Sequence, residues 1–397
     1  MIKFSAAKLT LFPKNRARSR KFPEKDTKGI EFFINFALST LHPTSLKFME
    51  EKKITIFDVA ARAGVSKGTV DRVLHNRGEV SRKSAEKVRK AIEELNYEPN
   101  LYASLLASKK SRMIACLLPE SEAGEYWEKV RNGFLAGGAE VAGLNIVTRL
   151  FSYDQYDPSS FDRACENLLA AAPAGVVLPP LFKNGTMSLA SKLKAMDIPY
   201  VYVDTKLEDG DYFAYFGMPM YQSGYLCAAL LTERLEPEEV KDVVVVRIIR
   251  DKSRQSDPTV SRREGFTDYI LDHFPDCSIS NIFIDPSRPE SISKALKELT
   301  PERKLVVMFN SRIHLIADFL RRNPSPGRRV IGFDNLDRNM DALRDGLVTL
   351  LIAQHTERQS HNAVLTLSDY ILVGKKPLNR DNYVHMDILS RLNIDNY

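Results

Sequence analysis

The chain has 397 residues, 44% of them apolar, with four cysteines and a formal net charge of +6. That is enough apolar material for a small domain plus a large, well-filled one, and no apolar run reaches the eighteen or more residues of a membrane span. Cys116, Cys165, Cys227 and Cys277 lie far apart without metal-ligand spacing. They read as small buried hydrophobes of a reducing, cytoplasmic compartment, and neither metal nor cofactor is expected. The charge is uneven: residues 1–48 carry +7, residues 49–111 carry +4 and residues 112–397 carry −5. Positive charge at one end suits a phosphate-rich partner.

Residues 1–48 hold a basic cluster (Lys14 to Lys21) and a short apolar run (Phe32 to Leu38). No secretory-signal pattern is present. The expectation is a disordered or mis-annotated leader with translation starting at Met49; a basic arm touching DNA is the alternative. Two short helices are then predicted. Thr55 with Asp58 makes a capping-box pattern, and Ile56, Val59, Ala60 and Ala63 follow at helical spacing. Gly64 ends that helix because glycine takes a left-handed conformation without steric cost. Ser66 caps the second helix, which buries Val70, Val73 and Leu74 and leaves Lys67, Gly68, Thr69, Asp71 and Arg72 outward. Two helices joined this way form a helix-turn-helix, whose second helix enters the major groove of DNA.

Ser81 caps a third predicted helix running to about Leu95, with Ala85, Val88, Ile92 and Leu95 buried; Asn96 ends it and Pro99 forbids continuation. The segment 99–111 is too short for a stable isolated helix and needs a partner, such as DNA, to order it. The runs TIFDVAARAGVSKGTVDRVL (55–74), VSRKSAEKVRKAIEELNYEPN (80–100) and LYASLLASKKSRMIACLLP (101–119) resemble the N-terminal region of the LacI/GalR family of bacterial transcription regulators. The resemblance implies a DNA-binding domain at 49–98, a hinge helix at 99–111 and an effector-binding, dimerising core at 112–397. It assigns base reading to Lys67, Gly68 and Arg72, and a minor-groove wedge to Leu106. Lys67 and Arg72 suit guanine O6 and N7, whereas Gly68 offers no side chain. Thr55, Ser66 and Asn76 are expected phosphate contacts, with Thr69, Ser81, Asn100 and Lys109 also on the DNA-facing side. The implied partners are a pseudo-palindromic double-stranded operator and a second copy of the chain.

From Arg112 on, strands and helices alternate. Strand runs are predicted at 113–118, 145–148, 175–178 and 198–203, with helices around 126–142, 160–171 and 186–196. A second series runs 213–216, 242–246, 280–284, 304–309 and 329–333, and the tail holds a strand at 348–353, a helix at about 357–373 and a last strand at 384–389. Such alternation means parallel sheets with helices on both faces. The fold class expected is therefore α/β, a small all-α head followed by a two-lobed, doubly wound core like a periplasmic binding protein. Lobe 1 is placed at 112–208 plus 354–376, and lobe 2 at 209–353 plus 377–397.

Ligands of open α/β sheets bind beyond the carboxyl ends of strands. Asp204, Asn310 and Asp334 each follow a strand run, and with Arg262 and Gln354 they match effector-binding positions of the family. Carboxylates accept from hydroxyl pairs while arginine and amides bridge neighbouring oxygens, so the set suits a polyol. Tyr126 and Trp127 offer an aromatic face for a sugar ring. A sugar is the first expectation, or an acidic or phosphorylated sugar given Arg262 and Arg263; a purine or other metabolite is the second. Gln359 and Ser360 depart from the small glycine usual in the cross-back helix. The chain shows no phosphate loop, no dinucleotide fingerprint and no nucleophile elbow, so an enzyme or a transport-binding protein on the same core is the less expected reading. A dimeric regulator is expected, more often repressor than activator.

Overall fold

The computed structural model describes residues 54–74, 78–97, 111–249, 259–286 and 288–397. Expectations that fall on the leader 1–48, on most of the 99–111 hinge, and on Asn76, Asn100, Leu106 and Lys109 lie outside the described residues. The chain divides into two compact units at Pro99 and Asn100.

The first unit contains α1 (Ile56–Ala63), α2 (Lys67–Leu74) and α3 (Arg82–Glu94). Its core joins Val59, Ala60 and Ala63 of α1 to Val70 of α2 and Val88 and Ala91 of α3. Tyr97 closes this core from beyond the third helix. Val73, Leu74, Ile92 and Leu95, expected inside, are only partly buried and pack against it. With three helices this short, propensity alone would not hold them, and the shared apolar core supplies the stability.

The second unit holds two six-stranded sheets. The first combines β1 (Arg112–Pro119), β2 (Ile146–Tyr153), β3 (Gly175–Leu178), β4 (Tyr200–Asp204), β5 (Ala214–Gly217) and β11 (Asp381–Tyr383) in the order β11-β5-β4-β3-β1-β2. All its pairings are parallel. The second combines β6 (Asp242–Ile248), β7 (Ser278–Ile284), β8 (Leu305–Val307), β9 (Arg329–Phe333), β10 (Leu350–Gln354) and β12 (Met386–Leu389) in the order β12-β10-β9-β8-β6-β7. Only β10–β12 is antiparallel. Central strands such as β3 and β5 are buried along their whole length, as parallel strands covered on both faces must be. All four cysteines are buried and free.

Two expectations about lobe membership are corrected. The 213–216 strand is expected in lobe 2, yet β5 pairs with β4 and β11 in the first sheet. The last strand expected at 384–389 is β12 in the second sheet, but the segment just before it, also expected in lobe 2, forms β11 in the first sheet. Both strands are short and carry no alternation, so nothing local says which sheet they join. Among the described residues the chain therefore crosses between lobes three times, at 217–220, 354–356 and 383–386. Tyr383 pairs with Gly217 and Met386 with Gln354, which sets the three crossings side by side as a hinge.

Candidate functional site

In the first unit, the Asp58 carboxylate accepts from the Thr55 backbone N–H at 2.8 Å and from its hydroxyl at 2.6 Å. Gly64 sits at φ 64°, and the next N–H, of Val65, reaches back to the Ala60 carbonyl at 3.1 Å. That is the Schellman closure expected of a left-handed helix end. Ser66 accepts from the Thr69 N–H at 3.2 Å and caps α2. Its hydroxyl also meets that of Thr69 at 3.0 Å, which commits two of the expected DNA contacts to each other. Lys67 and Arg72 are exposed on α2, and the Lys67 ammonium lies 4.8 Å from the ring centre of exposed Phe57. Ser81 caps α3 by accepting from the Ser84 N–H, and Asn96 at φ 46° ends it as read.

In the second unit, a cavity of about 340 Å³ opens between the two lobes. All seven expected effector residues line it: Tyr126, Trp127, Asp204, Arg262, Asn310, Asp334 and Gln354. The volume falls at the small end of the range for small-molecule sites. Tyr126 and Trp127 open α4 (Tyr126–Val141) and pack edge to face, ring centres 5.0 Å apart. Asp204 ends β4, and Asp334 follows β9; both hold φ of 69°. Left-handed backbone at an aspartate is sparsely populated and clusters where function holds it.

Arg262 enters from α8 (Val260–His273), which lies against α7 (Met220–Thr232) at contact distance. A Cβ on Gly224 of α7 would fall 1.7 Å from the Arg262 carbonyl oxygen, and one on Gly265 of α8 2.0 Å from that of Tyr221. Only glycine allows this approach, which delivers Arg262 to the cavity floor. There it is only 3% exposed. Its Nε donates to Ser223 Oγ at 2.9 Å, Nη1 donates to the Phe309 carbonyl, and Nη2 lies 3.0 Å from Met218 Sδ. The guanidinium also stacks 3.9 Å from the Phe333 ring centre.

The remaining polar groups form one hydrogen-bonded chain across the lobes. Tyr126 Oη donates to Asp204 at 2.6 Å, and Gln354 Nε2 donates to Tyr126 Oη and to Asp334, both at 3.0 Å. Burial pushes the Asp334 carboxyl up to about 6, against the opposing pull of Arg262 and the Gln354 hydrogen bond. Burial and then the Asp204 charge hold the Tyr126 phenol well above its ordinary range. At the rim Arg312 pairs with Glu125 at 2.8 Å, and Lys129 reaches Asn335 at 3.3 Å. The Asn310 side chain accepts from the Arg312 N–H at 3.1 Å, holding the turn after β8.

Arg263, expected to add positive charge, is not among the residues lining the cavity. The lining instead carries five carboxylates against three guanidinium groups. His314, unforeseen in the sequence, also lines the cavity; burial lowers its imidazole to about 4. It bonds Asn339, whose amide also donates to the Asp334 carbonyl at 3.1 Å. Among the described residues no group of three or more His, Cys, Asp or Glu could hold a metal, and no helix is long and apolar enough to cross a membrane.

A helix-turn-helix and a two-lobed, binding-protein-like core with a polar interlobe cavity are thus carried on one chain. Residues 55–100 match the family described as bacterial regulatory proteins, lacI family, and residues 114–376 match the periplasmic binding protein domain. The HTH-type transcriptional regulator MalR of Streptococcus pneumoniae is 41% identical over 92 residues, 23% of this chain and 28% of that protein. Catabolite control protein A of Staphylococcus xylosus is 28% identical over 223 residues, 55% of this chain and 62% of that one. The chain thus spans less than two thirds of the length of these curated relatives. A crystal structure of a Bacteroides fragilis protein, described as a LacI transcriptional regulator, is 31% identical with a TM-score of 0.69, covering 72% of this chain and 100% of that one. The chain belongs to the LacI family of bacterial regulatory proteins.

Proposed function

We propose that this protein is a cytoplasmic, homodimeric transcription regulator, most simply a repressor, whose operator affinity is set by a small polyhydroxylated effector held between the core lobes. The observation that carries the reading is the cavity lining, in which the buried Asp334, the half-buried Asp204, an arginine, two amides and an aromatic pair surround one space. Asp204 already accepts from Tyr126 and Asp334 from Gln354, but an ionised carboxylate can accept several hydrogen bonds, and sugar hydroxyls supply further donors. The excess of carboxylates favours a neutral sugar over the phosphorylated or acidic one that Arg262 and Arg263 suggest in the sequence. An effector moves the lobes only by its differential affinity for their two arrangements, and their angle would set the spacing of the paired hinge segments.

On the DNA side, the reading assigns base contact to Arg72. Arg72→Ala is expected to cost about 1–3 kcal/mol on the specific operator and to relax selectivity at one base pair. Fluorescence anisotropy on operator and random duplexes checks this, and an equal loss on both would reduce Arg72 to a phosphate contact. The reading also assigns the central wedge to Leu106. Leu106→Ala should reduce operator bending and specific affinity while dimerisation persists, since a side chain wedged between base steps kinks the duplex. Unchanged bending in an energy-transfer assay on end-labelled operator would remove Leu106 from the interface.

A further inference from the structure

Gln359 lies in the first turn of α12 (Thr356–Val373), just past the second crossing between lobes, and is fully buried. Both ends of its buried amide are used. Its Oε1 accepts from the Asp204 backbone N–H at 3.0 Å, and its Nε2 donates to Gln354 Oε1 at 2.9 Å. Asp204 ends a strand of the first sheet and Gln354 a strand of the second. The same Gln354 donates to Tyr126 and Asp334 inside the cavity. Next in sequence, Ser360 donates to the Val130 carbonyl at 2.6 Å and locks this turn of α12 onto α4. Gln359 therefore stands outside the cavity lining and holds two of its residues from behind, one from each lobe.

We propose that Gln359 is a positioning residue of the effector site, and that its carboxamide ties the cavity's polar chain to the angle between the lobes. The claim rests on the effector reading above for the identity of the site. A side chain that touches Asp204 and Gln354 together keeps both only while the lobes hold this angle. Effector binding that shifts either residue is then passed to the hinge through Gln359.

The chain's only tryptophan, Trp127, lines the same cavity, so its fluorescence reports on cavity opening. Two substitutions in the full-length protein separate the two hydrogen bonds. Gln359→Met keeps the volume and loses both; Gln359→Glu keeps an acceptor for the Asp204 N–H and loses the donor to Gln354. Hydrogen exchange of the peptide covering 200–207 should quicken about tenfold in Gln359→Met and stay near wild type in Gln359→Glu. Acrylamide quenching of Trp127 should rise in both. Titration calorimetry with D-glucose, D-galactose, D-ribose and myo-inositol, run on wild type, Asp334→Ala and both Gln359 variants, adds the ligand arm. A sugar that binds wild type should weaken about tenfold or more in Gln359→Met. If no sugar binds wild type, the polyol reading of the site fails, while exchange and quenching still decide the role of Gln359. Wild-type exchange and quenching in Gln359→Met would overturn the proposal. So would exchange that quickens equally throughout the first lobe, or failure of both variants to fold, because each would make Gln359 a general stabiliser.

Discussion

Asp334→Asn is expected to stabilise the ligand-free protein at neutral pH and at the same time to remove its effector response. Burial holds this carboxyl at about 6, above its ordinary value of 3.8. Between those values the folded state binds the proton that the unfolded chain has released. Stability contributed by this group is therefore present at low pH and lost as pH rises from about 4 to 6. At about 1.36 kcal/mol per pH unit, a window of that width puts the loss on the order of 3 kcal/mol. Asparagine keeps the acceptor that Gln354 uses and carries no charge to bury. Thermal melts of both proteins from pH 4 to 8 should show the variant gaining on wild type across that window and holding its lead above it. Parallel curves would mean that Asp334 ionises without cost. The compensating loss falls on function, because a neutral amide is a weaker acceptor for a ligand hydroxyl and a charge-assisted bond is about twice as strong as a neutral one. Affinity for any sugar that binds wild type should fall tenfold or more. Such opposition between stability and activity is what a strained, charged site produces.

Gly224→Ala is expected to be the most damaging single-methyl change in the core. Its Cβ would lie 1.7 Å from the Arg262 carbonyl oxygen and 2.6 Å from the carbonyl carbon. These are backbone atoms, so no side chain can swing aside, and α7 and α8 must separate. Overpacking costs about 1–3 kcal/mol and occasionally more, and a backbone clash this close falls at the upper end. The separation also withdraws Arg262 from Ser223 and Phe309, leaving a buried guanidinium without its hydrogen bonds. A drop in the denaturation midpoint together with loss of ligand binding should result, whereas Leu271→Ala, at an exposed position on the same helix as Arg262, should leave both nearly unchanged. A Gly224→Ala protein as stable as wild type would show that the two helices are not in fact pressed together.

Much of the site is legible in the sequence, for a physical reason that differs between the two units. In the helix-turn-helix the information is local. The Thr55–Asp58 pair, the left-handed Gly64 and the Ser66 cap each act within three to five residues, so sequence alone places both helices and the turn. In the core, parallel strands end in the cleft by construction, so polar residues at strand ends point to Asp204, Asn310 and Asp334. The expectation for Arg262 and Gln354 comes from resemblance to the family and meets the same cavity.

Other features depend on contacts between residues far apart in the chain. Short buried strands look alike wherever they pair, and only the packed sheets decide that β5 and β11 belong to the first lobe. Arg262 reads in sequence as a free cation for an anionic ligand, yet the fold commits its donors to Ser223 and Phe309 and keeps Arg263 off the cavity lining. Gln359 reads as a departure from a small residue; its meaning lies in a hydrogen bond to Asp204, 155 positions away. Sequence alone determined this protein's local geometry and the polar strand-end residues Asp204, Asn310 and Asp334 of its cavity, because caps, turns and strand ends are set by near neighbours. Tertiary structure alone decided which of those groups are already partnered and how strongly each is desolvated, because both depend on what the rest of the chain packs around them.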